Sequence, residues 1–141
     1  MKITLNRIND DFLFECTNTY GKSILIDNNT ADPDSKGVSP MESLLMSLAG
    51  CSGIDLIAIL KKQKQKITDF KAEVEGERVQ VEEAKPFKTI NVKFMLEGEV
   101  DPQKAQKAAD LSFGKYCSVS KTLEPNVEIT YEVYVNGEKA S

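Results

Sequence analysis

The run Leu44-Leu45-Met46-Ser47-Leu48-Ala49-Gly50-Cys51-Ser52-Gly53-Ile54 is apolar or small on every side, and it lies in a segment with both helix-terminus signals. Ser39 is placed to cap and Pro40 suits the first helical position. Glu42, three residues after the cap, completes a capping box. Lys61-Lys62-Gln63-Lys64-Gln65-Lys66 brings the positive charge that a helix C-terminus favours, so the spacing predicts a helix from Ser39-Pro40 to about Gln65. A helix with no polar face has to be buried all round. One sheet in a chain of 141 residues covers one side of it. A second copy of the same helix packed alongside is the simplest remedy, which predicts an intertwined homodimer. The alternative is that a second helix and the sheet cover it completely. The charge-free run between Glu42 and Asp55 is shorter than the roughly 18–20 residues of a bilayer span, so no membrane segment is expected.

The flanking sequence alternates as strands do. Ile3, Leu5 and Arg7, then Phe12, Phe14 and Cys16, then Ser23–Ile26 read as three short strands, separated by turns at Asn9-Asp10-Asp11 and Tyr20-Gly21-Lys22. Asp27 to Val38 has the composition of a loop. Phe70–Val81 and Thr89–Leu96 are predicted strands. A helix then starts at Asp101-Pro102 and is interrupted near Gly114. Tyr116–Leu123 forms a further helical piece, Pro125 ends it, and Val127–Val135 is the last strand. The order βββ–α–ββ–αα–β predicts an α+β sheet with helices on one face, in a single domain over residues 1–141.

The chain has no histidine, which excludes His-based triads, His-ligated zinc or haem, and imidazole acid–base chemistry. A formal net charge of −4 gives no field for capturing nucleic acid or an anionic membrane surface, and neither partner is expected. Three cysteines, Cys16, Cys51 and Cys117, form no CxxC pair. Their odd number, and an N-terminus without the apolar core of a signal peptide, predict a reducing, cytoplasmic setting.

Cys51 lies mid-helix, with Ser47, Leu48, Ile54 and Asp55 as helical neighbours, in a belt of small residues that lets a backbone or ligand approach. On spacing alone it reads as an inert core thiol ahead of a nucleophile, since buried free cysteine is common. Cys117 precedes Ser118-Val119-Ser120 at the start of a helical piece, where the positive end of the dipole favours a thiolate. Cys16 reads as a structural strand residue.

Two segments carry a family resemblance. Val38-Ser39-Pro40-Met41-Glu42-Ser43-Leu44-Leu45-Met46-Ser47-Leu48-Ala49-Gly50-Cys51 resembles the central helix of the OsmC/Ohr family, and Lys115-Tyr116-Cys117-Ser118-Val119-Ser120 resembles its second cysteine motif. The resemblance implies an antiparallel sheet with a long central helix, and an intertwined homodimer with two sites at the subunit interface. It implies thiol-dependent reduction of organic hydroperoxides or hydrogen peroxide, with no metal and no organic cofactor. Cys51 would be the peroxidatic cysteine and Cys117 the resolving one, with an external dithiol closing the cycle. Peroxidase members activate the attacking thiolate with an arginine held by a glutamate. Here Met41 stands where that glutamate is expected and Glu42 is one residue later, while the only arginines are Arg7 and Arg78, so Glu42, Arg7 and Arg78 are the possible activating residues. That departure motivates a competing expectation, an OsmC-like binding protein that holds an apolar small molecule at the dimer interface.

Overall fold

The computed structural model describes residues 1–28 and 32–141. The chain divides into two compact units, Met1–Leu44 and Leu45–Ser141, with the long helix starting in the first and continuing in the second.

In the first unit β1 (Thr4–Arg7), β2 (Phe14–Thr17) and β3 (Ser23–Ile26) form an antiparallel meander, with Leu5 opposite Cys16 and Cys16 opposite Ile24. Both turns are built on asparagine. The Asn9 side-chain oxygen accepts from the amides of Asp11 and Leu13, and that of Asn18 accepts from Tyr20 and Lys22. Part of the predicted loop, residues 29–31, lies outside the described residues. The capping box is present: the Ser39 amide donates to Glu42 Oε1 at 2.9 Å and the Glu42 amide donates to Ser39 Oγ at 3.1 Å.

Helix α1 spans Pro40–Lys62 and stops short of Gln65. Lys64 turns left-handed (φ 59°) and the Gln65 amide returns to the Leu60 carbonyl, which closes the helix as a glycine usually would. Leu48, Ser52, Gly53, Leu56 and Leu60 are buried, whereas Met46 and Ile54 are 54% and 70% exposed. The chain's own elements therefore do not cover α1 completely. An 18-residue window of α1 reaches a mean hydropathy of 1.9, so by length and composition it is long and apolar enough to cross a membrane, although its charge-free run ends at Asp55. A core helix passes the same test, and Gly53 brings α1 against the sheet: a Cβ there would stand 3.3 Å from the Phe70 ring. Gly50 has open space around the same position, so of these two glycines Gly53 marks the close crossing.

The second unit holds a four-stranded sheet in the order β4 (Lys66–Arg78), β5 (Phe87–Glu99), β6 (Glu128–Val135), β7 (Glu138–Lys139). Two expectations are corrected here. The strands belong to two sheets, and β5 runs parallel to β6, with Phe94 beside Val133, so the second sheet is mixed and not antiparallel throughout. The reason is the helical crossover between them: α2 (Pro102–Leu111), a single π turn (Ser112–Tyr116) and α3 (Ser118–Leu123) return the chain to the end where β5 began. Strand β7 adds to the predicted order through the two-residue hairpin Asn136-Gly137, both residues at positive φ. Strand β4 starts at Lys66, before the apolar alternation begins at Phe70, with an irregularity between Ile67 and Asp69.

Alternate residues of β5, Ile90, Val92, Phe94 and Leu96, are buried, and Ala105, Ala108 and Ala109 are the buried side of α2. An aromatic chain joins sheet to crossover. Phe94 is 5.9 Å from Phe70 and 6.1 Å from Phe113, and Phe113 stacks on Tyr131 at 4.4 Å. The Tyr131 hydroxyl donates to Asp110 at 2.8 Å, and its pKa is pushed up from 10.0 to about 12, by burial first and by Asp110 second. The unfolded chain ionises this phenol near 10 and the folded one near 12. Its contribution to stability is thus complete below pH 10 and is lost as pH rises toward 12. Urea unfolding across that window is expected to show a steeper loss for the wild type than for Tyr131→Phe. Equal slopes would contradict this account of Tyr131.

Candidate active site

Cys51 and Asp55 lie one helical turn apart on the same face of α1, both half-buried. The crossover delivers Cys117 to that face. Its amide donates to the Ser112 carbonyl at 2.7 Å, closing the π turn, and its sulfur caps α3 by accepting the Ser120 amide at 3.4 Å. Ser112 ties the turn to the helix, its hydroxyl donating to Asp55 Oδ2 at 2.8 Å. As a result Cys51 Sγ, Cys117 Sγ and a carboxylate oxygen of Asp55 lie within 4.8 Å of one another, with both cysteines as free thiols. Such π turns widen a helix by one residue and recur at functional sites, because the extra residue re-aims the chain beyond it.

The electrostatics of Cys117 reverse the sequence expectation. Burial pushes its thiol above the usual 9.0, and the neighbouring Cys51 adds to that, while the Ser120 amide and hydroxyl pull the other way. The N-terminal end of a six-residue helix is too weak to offset complete burial. Beside the cluster a groove of about 410 Å³ is lined by Asp55, Ala58, Ile59, Lys62, Gln63, Leu111 and Tyr116. Its walls are mainly apolar, and Asp55 belongs to both groove and thiol cluster.

The structure brings Cys51 and Cys117 together, and it places the other predicted residues elsewhere or in the first unit. Arg78 ends β4, exposed, with its Nε donating to the Lys85 carbonyl at 2.7 Å. Arg7 and Glu42 belong to the Met1–Leu44 unit, where Arg7 Nε donates to the Asp11 carbonyl at 2.8 Å and Glu42 caps α1. Cys16 is a free thiol on β2. Asp55 is legible in the sequence as a helical neighbour of Cys51 but not as a member of the site. Ser112 carries no such signal, since its partner is 57 residues away in the chain.

Comparison with known proteins identifies the family. The family model described as OsmC-like protein matches residues 33–132, a span that contains both Cys51 and Cys117. Protein YhfA of Escherichia coli (strain K12) is 40% identical over 116 residues, covering 82% of this chain and 84% of YhfA. A hypothetical protein from Aquifex aeolicus VF5 superposes with a TM-score of 0.78 at 31% identity, over 96% of each chain. The organic hydroperoxide resistance protein OhrB of Bacillus subtilis shares the fold, with a TM-score of 0.63 at 24% identity over 94% of this chain and 96% of its own. The family model runs over residues 33–132 and a relative is 40% identical over 82% of the chain, and the chain belongs to the OsmC-like family.

Proposed function

We propose that this protein is a thiol-dependent hydroperoxide reductase in which Cys51 attacks and Cys117 resolves. The observation that carries the reading is the meeting of two free thiol sulfurs within 4.8 Å. The thiolate of Cys51 attacks the O–O bond of ROOH. One oxygen stays on sulfur as a sulfenic acid, and the other takes a proton and leaves as the alcohol. The Cys117 thiol then displaces water from the sulfenic acid, forming a disulfide. An external dithiol reduces that bond by exchange and is itself oxidised. A Cys117 kept protonated by burial does not compete for the first attack, which supports this division of roles. The groove accepts the organic part of the peroxide on Ala58, Ile59 and Leu111. In this reading the chain is one cytoplasmic OsmC-like domain that works as a homodimer, and the exposed Met46 and Ile54 of α1 support a second copy.

The test mixes reduced protein with cumene hydroperoxide and a dithiol. Sustained peroxide consumption is expected, and without the dithiol free thiols fall from three per chain to one. Unchanged peroxide with all thiols intact would overturn the proposal.

A further inference from the structure

We propose that the reduced site is also a zinc site: Cys51, Cys117 and Asp55 bind one Zn²⁺ per chain, and the bound ion holds the thiols out of reaction. The metal binding stands on its own geometry, and only its inhibitory effect rests on the hydroperoxide reading above. Two sulfurs and one carboxylate oxygen are a donor set for a borderline-soft, tetrahedral cation, whereas Mg²⁺ and Ca²⁺ require shells of oxygen. Ligands 2.0–2.3 Å from zinc stand about 3.5–3.8 Å apart, so separations of up to 4.8 Å close with small side-chain rotations. Two of the ligands, Cys51 and Asp55, are spaced four residues apart on one helix, and the third comes from another element, as in helix-borne zinc sites.

The surroundings already orient the ligands. Ser112 holds Oδ2 of Asp55, leaving the other carboxylate oxygen for the metal, and the Ser120 amide points at the Cys117 sulfur. The groove reaches Asp55, the ligand by which an ion enters from solvent, and a solvent water completes the fourth position. Binding replaces two thiol protons with one divalent cation and involves no change of oxidation state. With both sulfurs coordinated, neither attacks a peroxide, and removal of the ion restores them unaltered.

The probe is Zn²⁺ alone, added by calorimetric titration to the full, reduced, metal-free chain, with Cd²⁺ as an optical stand-in that reports thiolate ligation in the ultraviolet. One ion per chain is expected. Cys51→Ser, Cys117→Ser and Asp55→Asn should each weaken binding at least tenfold, and Cys16→Ser should leave it unchanged. Retention of full affinity in Cys51→Ser or Cys117→Ser, or binding that depends on Cys16, would overturn the site. Zn²⁺ should also suppress hydroperoxide turnover at one equivalent, with recovery on chelation. Turnover in metal-free protein that Zn²⁺ neither inhibits nor binds sinks this inference and leaves the proposed function standing. One-to-one binding through the three residues in a protein without turnover does the reverse.

Discussion

Replacing Cys51 by serine is expected, on the proposed function, to reduce hydroperoxide turnover by at least about a thousandfold, because the substitution removes the proposed nucleophile and changes little else. A hydroxyl has nearly the shape of the thiol but does not form a sulfenic acid or a disulfide. The neighbouring sulfur does not substitute: Cys117 is fully buried, held by Ser120, and kept protonated by that burial. Initial rates with a saturating dithiol measure the effect, alongside urea unfolding to confirm an intact fold. A variant within tenfold of the wild type would mean that the chemistry lies elsewhere.

The largest stability effect is expected at Phe94. Its side chain is fully buried on β5, between Ala72 of β4 and Val133 of β6 in register, and its ring meets both Phe70 and Phe113. Phe94→Ala leaves a cavity that neighbours on two strands and the crossover fill only in part, at a cost of about 3–5 kcal/mol. The site suffers with it, since Phe113 sits in the π turn beside Ser112, whose hydroxyl fixes Asp55 and whose carbonyl fixes Cys117. Urea titration at fixed protein concentration is expected to show a lower midpoint with an unchanged m-value. A loss below about 1 kcal/mol would contradict the central place given to this ring.

Much of this architecture is legible locally. Ser39-Pro40-Met41-Glu42 marks the start of α1 because capping is a matter of neighbouring residues, and alternation marks β5 and β6 because one face of each is buried. The hairpin Asn136-Gly137 is equally local, yet the two-residue strand it introduces is too short to show a pattern of its own. What local pattern does not carry is pairing. The parallel alignment of β5 with β6 depends on how far the crossover carries the chain, and Ser112 reaches Asp55 only after the fold has formed. The same holds for Cys117: a helix N-terminus argues for a thiolate, but burial, which is set by tertiary packing, reverses the direction. Cys51 and Cys117 are legible as a pair through family resemblance, whereas helix spacing alone reads Cys51 as a core thiol.

The most direct test is peptide mapping under non-reducing conditions after one equivalent of hydroperoxide is added to the fully reduced chain. A single linked pair is expected, the peptide of Cys51 joined to that of Cys117, with Cys16 still a free thiol. A protein that leaves Cys51 and Cys117 unlinked, or that oxidises Cys117 while Cys51 remains a thiol, would contradict it.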